Sequence, residues 1–184
     1  ARRQRHKTIR WVVTVFLITV VISGIISLVS DEVMDSSSLP VAFLILLAIV
    51  MVGIIFDIIG MAVASADEKP FHSMAARKVP GSQEAIRLLR NAERVSSICN
   101  DVVGDICGVV SGSASATIAA LILTQVDVGW PRGVSLVMSA LVAGLTVGGK
   151  AIGKTFAVNS CTQIVHMVGK VLHALNGLHG KKKK

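Results

Sequence analysis

Asp57, Asp101, Asp105 and Lys150 lie inside stretches that are largely apolar. A carboxylate in a membrane helix costs about 2.5–3.5 kcal/mol, so the three aspartates represent roughly 8–10 kcal/mol that pairing, hydration or a bound cation must offset. Ser97, Asp101, Asp105, Gly108 and Gly112 recur at i, i+4, i+8, i+11 and i+15, which lines them along one helix face, and Ser96 and Asn100 form an adjacent i, i+4 pair. Carboxylate, amide and hydroxyl oxygens are hard donors of the kind a divalent ion such as Mg2+ takes. If all four ionisable groups face one cavity, their net charge of −2 matches one divalent ion. The alternative is structural: the aspartates pair with Lys150 or draw in water near the cytoplasmic interface, and Lys150 then fills the ion's place permanently. Close helix packing by itself accounts for Gly108, Gly112, Ser111, Ser113, Ser115 and Ala116.

The elements that carry these groups read as membrane helices. Of the 184 residues, 52% are hydrophobic and only 16% charged, against an average nearer one quarter charged in soluble domains. Trp11 to Val29 is free of charge and long enough to cross a hydrocarbon core of about 30 Å. Pro40 opens a second run reaching Ala66, Ser96 to Thr124 forms a third, and Val134 to Ala157 a fourth, giving spans at about 11–29, 40–66, 96–124 and 134–157. Between the second and third lies a polar, basic loop, 67–95, broken at Pro70 and Pro80-Gly81. It contains an amphipathic segment from Ser82 whose apolar side (Ile86, Leu88, Leu89, Val95) suits a membrane surface. Ile164, Val165, Val168, Val171, Leu172, Leu175 and Leu178 give residues 158–180 the pattern of a juxtamembrane amphipathic helix on the inner leaflet, with His166 and His173 read as interfacial.

Charge sets the orientation. The turn from Ser30 to Ser38 is acidic, whereas basic residues gather in the N-terminal segment 1–10, in the 67–95 loop and towards the C-terminus, so both termini are expected on the cytoplasmic side of a cell membrane. The net charge of +8 therefore reads as the positive-inside pattern rather than as a nucleic-acid footprint. The run 181–184 is a lysine tail to which the reading gives little weight. The first apolar run is too long for a cleaved signal and is expected to stay as a span. Cys99, Cys107 and Cys161 imply no disulfide framework. No nucleophile and base stand at a catalytic spacing, so no enzyme activity and no cofactor is expected.

In order along the chain, Phe56-Asp-Ile-Ile-Gly60-Met-Ala-Val-Ala-Ser65-Ala-Asp67, the basic stretch after it, Asn100-Asp-Val-Val-Gly-Asp105-Ile and Gly149-Lys-Ala-Ile-Gly-Lys154 resemble the transmembrane domain of the cyclin M and CorB/CorC magnesium transporters over residues 50–172. The resemblance implies a homodimer whose membrane helices hold Mg2+ through serine and asparagine side chains and backbone carbonyls. It assigns Asn100 and Ser96 to the family's asparagine and serine, Asp57 to its first-helix serine, and Gly60 to its neighbouring glutamate. Asp101 and Asp105 fall where asparagine-like residues are usual, and Gly149 and Lys150 fall on the fourth-helix glycine and glutamate. Loss of the glutamate at Gly60 and the reversed charge at Lys150 depart from that pattern. The 184 residues contain no CBS pair, so regulation by ATP is not implied.

The expectation is thus an all-α integral membrane protein of about four transmembrane helices plus cytoplasmic surface helices. It transports a Mg2+-like divalent cation through Asp57, Ser96, Asn100, Asp101, Asp105 and Gly149, with Lys150 compensating charge. The alternative is a non-transporting scaffold or accessory subunit whose site Lys150 fills. Expected partners are the lipid bilayer, a second copy and the cation, with no nucleic acid.

Overall fold

Apolar side chains leave a chain in lipid with only its own backbone to bond, and a continuous helix satisfies every interior N–H and C=O. A computed structural model of the protein describes residues 2–35, 38–126 and 129–180, and among these there are helices and turns but no strand. The helices are α1 (Arg2–Asp35), α2 (Leu39–Ser65), α3 (Lys69–Ala76), α4 (Ser82–Arg90), α5 (Ala92–Ser97), α6 (Asp105–Gln125), α7 (Pro131–Asn159) and α8 (Cys161–Gly180). A π-helical segment, Ile98–Gly104, joins α5 to α6. Four stretches are long and apolar enough to cross a membrane: Ile9–Ser30, Leu39–Ser65, Ala92–Gln125 and Pro131–Asn159. The third begins four residues before the expected Ser96, because α5 continues into the π segment without a break. Helix α1 runs on through the acidic residues to Asp35, where a turn from Ser30 was expected. Asp127 and the lysine tail lie outside the described residues.

The chain divides into two compact units. The first comprises residues 1–53 and 104–147. Its interior is built by Ala42, Leu46 and Val50 of α2, Ile106, Val110, Ala114, Ile118 and Ala119 of α6, and Met138 and Val142 of α7. Helix α1 runs alongside α6 yet buries none of its span residues, so its apolar surface is left for lipid. The buried hydroxyls of Ser111 and Ser115 donate to the carbonyls of Gly108 (2.9 Å) and Gly112 (2.8 Å), which satisfies them within α6 itself.

The second unit comprises residues 54–103 and 148–184. Its core gathers Ala62 and Val63 of α2, Phe71 of α3, Ala85, Ile86 and Leu89 of α4, Ala157 of α7 and Val165 of α8. Helices α3 and α8 both pack on α4, whose Ala85, Ile86 and Leu89 are buried in this core while Leu88 stays half-buried. Gly81, at φ +84°, makes the junction possible: it takes a left-handed conformation open to glycine, and a Cβ there would stand 2.7 Å from the backbone of Gly169. Helix α8 starts at Cys161, after a single-residue turn at Ser160, rather than at 158. Met167, Val171 and Leu175 remain exposed on its outer side.

Candidate functional site

The helix pair that positions Asp57 is set by glycine. On α7, Gly149 and Gly153 leave notches that receive Ile54 and Ile58 of α2. A Cβ at Gly153 would stand 2.7 Å from Ile58 Cγ1, and one at Gly149 would fall on Ile54 Cδ1. The pairing advances four residues on each helix in the same direction, so α2 and α7 run parallel at this seam. That register brings Lys150 opposite Asp57, with Nζ 3.6 Å from Oδ1. The carboxylate is 7% exposed and the lysine side chain 22%. Asp57 Oδ2 has no hydrogen-bond partner. Because α7 is unbroken from Pro131 to Asn159, the Gly149 carbonyl lies in an ordinary helical ladder. What Gly149 supplies here is space for Ile54.

One turn further along α2, Gly60 receives the side chain of Asn100. A Cβ at Gly60 would land on Asn100 Oδ1, 2.9 Å from its Cγ and 3.0 Å from Cys99 Cβ. Asn100 Nδ2 donates to Ser96 Oγ at 3.3 Å, while Oδ1 is buried without a hydrogen-bond partner. Asn100 therefore occupies the space that a larger residue at position 60 would need. It sits within the π-helical segment, where i→i+5 bonding replaces the α ladder over Ile98–Gly104. Such segments are rare and concentrate at functional sites, since they displace backbone carbonyls and re-aim side chains. The sequence reading took this stretch as ordinary α-helix. The available signal was the cluster Asn100, Asp101 and Gly104, all poor helix formers, within five residues.

The other two aspartates are placed differently. Asp101 is exposed and accepts a 2.6 Å hydrogen bond from Ser97 Oγ, and Asp105, the first residue of α6, is also exposed. Gly112 is exposed as well, and a Cβ at Gly108 or Gly112 would meet no atom within 4 Å. Among the described residues, no three His, Cys, Asp or Glu side chains come together as metal ligands. The inward set is thus the buried Asp57 with the half-buried Ser96, Asn100 and Lys150, one carboxylate rather than three, with the charges of Asp57 and Lys150 cancelling. Asp57 Oδ2, on α2, and Asn100 Oδ1, set against Gly60 about one turn further along α2, are each buried without a partner; such oxygens are costly in a protein interior and are what a hard cation would satisfy.

Histidine contacts lie elsewhere, at the junction of α4 and α8. His173 Nδ1 donates to Glu84 Oε1 at 3.0 Å, and His166 Nε2 lies 3.3 Å from the Pro80 carbonyl. The His173 hydrogen bond holds the Glu84 carboxyl below its ordinary range against an opposing effect of burial, with help from its own backbone N–H and the charge of Arg87.

These features define a multi-pass helical membrane protein with a buried polar seam. Compared with protein-family models, with curated proteins and with solved structures, the chain matches none.

Proposed function

We propose that the protein moves a divalent, Mg2+-like cation across a cell membrane, with both termini cytoplasmic, through a site formed by Asp57, Ser96 and Asn100. The observation that carries this reading is the pair of buried, unpartnered oxygens, Asp57 Oδ2 and Asn100 Oδ1, the second presented by a π-helical segment. A carboxylate, an amide oxygen and a hydroxyl form a small hard-donor set, and Mg2+ keeps several of its waters when it binds so few protein ligands. The resemblance to cyclin M and CorB/CorC transporters supports the same assignment of Ser96 and Asn100. Asp105 and Gly112 of α6 are both exposed, and a Cβ at Gly108 or Gly112 would meet no atom within 4 Å. Lipid is a poor environment for carboxylates and small residues favour close helix approach, so this side suits a second copy of the chain in a homodimer.

A second reading has its own observation. The 3.6 Å approach of Lys150 to Asp57 gives the site an internal cation, as expected of a scaffold or accessory subunit that keeps the fold and transports nothing. Thermal unfolding of the detergent-solubilised protein across a MgCl2 titration separates the two, with CaCl2 and NaCl as controls. Ligand at 100 times its dissociation constant stabilises the folded state by about 2.7 kcal/mol. The transport reading expects a saturable Mg2+ response that Asp57→Asn and Asn100→Ala abolish. No Mg2+ response in the wild type or in Lys150→Met leaves the scaffold as the better account.

A further inference from the structure

We propose that Lys150 is a tethered competitor of the transported ion, so that its ammonium and the divalent cation occupy Asp57 alternately. The inference rests on the cation-site reading above and concerns how that site is emptied. Four observations carry it. First, the contact is loose: 3.6 Å exceeds the ~2.7–2.9 Å of a tight charge-assisted hydrogen bond. Second, the lysine engages one carboxylate oxygen and leaves Oδ2 without a partner, so it neutralises the charge without filling the carboxylate's coordination. Third, the two partners differ in access, since Asp57 is 7% exposed while Lys150 is 22% exposed and rides on a flexible four-carbon stem. Fourth, Lys150 lies between Gly149 and Gly153, whose notches hold Ile54 and Ile58. The seam is kept in register by those apolar contacts, so withdrawal of the ammonium does not require α2 and α7 to separate.

A buried carboxylate stripped of its counter-charge is strongly disfavoured. A site that released its ion into the cytoplasm and left Asp57 bare would therefore hold that ion too tightly. Lys150 removes the difficulty by restoring the charge balance as the ion leaves. The ion must in turn displace Lys150 on arrival, which weakens apparent affinity and speeds release. The charge at the seam changes by one unit in the exchange rather than two.

The test uses the full chain in detergent and in proteoliposomes, with MgCl2 as the probe. In the wild type, amine acylation of Lys150, read by peptide mass spectrometry, should rise severalfold at saturating MgCl2 and not in NaCl of equal ionic strength. Lys150→Met and Lys150→Gln should bind Mg2+ at least tenfold more tightly than the wild type by calorimetry, while Mg2+ flux falls because release slows. Mg2+ binding that leaves Lys150 acylation unchanged, or variants that bind no more tightly, would overturn the exchange and leave the Asp57, Ser96 and Asn100 site standing. The acylation measurement decides the matter even where the variants fail to fold. Absence of any Mg2+ binding in the wild type and in both variants would overturn the cation-site reading and the exchange with it.

Discussion

Gly60→Ala perturbs the site without touching a donor atom. The added methyl would land on Asn100 Oδ1 and come within 2.9 Å of Cγ and 3.0 Å of Cys99 Cβ, so the Asn100 amide must turn away from α2. Inserting a methyl into packed structure costs about 1–3 kcal/mol. Replacing glycine by alanine in a helix interior returns about 1 kcal/mol. The net effect is a destabilisation of about 0–2 kcal/mol. Gly144→Ala is the matched control: it lies within α7, its Cβ would meet nothing within 4 Å, and it should gain up to about 1 kcal/mol. The two variants should therefore differ by about 1–3 kcal/mol. At roughly 2–4 °C per kcal/mol for a chain of this size, their unfolding midpoints should separate by about 2–12 °C. The second measurement is the Mg2+-induced rise in midpoint, which Gly60→Ala should lose and Gly144→Ala keep. Should Gly60→Ala unfold at or above the midpoint of Gly144→Ala with a wild-type Mg2+ response, Asn100 is not held against α2 as described and takes no part in binding.

Four further outcomes follow from the same geometry. Gly81→Ala forces a side chain into φ +84° and against the backbone of α8, and should destabilise by about 3 kcal/mol from the sum of left-handed strain and overpacking, measured by denaturation in detergent. Lys78→Gly should act in the opposite sense, gaining up to about 1 kcal/mol in the same assay, because Lys78, two residues past the end of α3, takes φ +57° in a position that suits glycine. Glu84 is held below its ordinary value of 4.5 in the folded chain. Its contribution is complete above the unfolded value and is lost as pH falls through the lower folded one, so Glu84→Gln should flatten the acid limb of the stability profile below about pH 4.5. Lys150→Met strands the buried Asp57 carboxylate at a cost of about 3–5 kcal/mol, and adding Asp57→Asn to it should recover most of that loss, which a double-mutant cycle measures directly.

The membrane spans were open to sequence reasoning because hydropathy is a local property. A run such as Trp11 to Val29 or Val41 to Phe56 is apolar whatever surrounds it, and a backbone in lipid has few alternatives to a helix. The polar residues of the seam were likewise visible, since Asp57, Asn100 and Lys150 stand out against their apolar neighbours. Their partners were not. A helical period says which residues share a face, as it does for Asp101, Asp105 and Gly112, but not what that face meets, and the structure turns these three outward while burying Asp57 alone. The same limit applies to α4, whose amphipathic pattern would serve a membrane surface or a protein core equally; packing from α3 and α8 chose the core. The π-helical segment depends on how the backbone of residues 98–104 is held by its surroundings, and residue type alone only weakens the α alternative there. Sequence by itself determined the spans, the charge asymmetry and the identity of the polar groups. Tertiary structure decided that Gly149 and Gly153 admit Ile54 and Ile58, that Lys150 consequently meets Asp57, and that Asn100 fills the space beside Gly60, because each depends on a close approach between helices far apart in the chain.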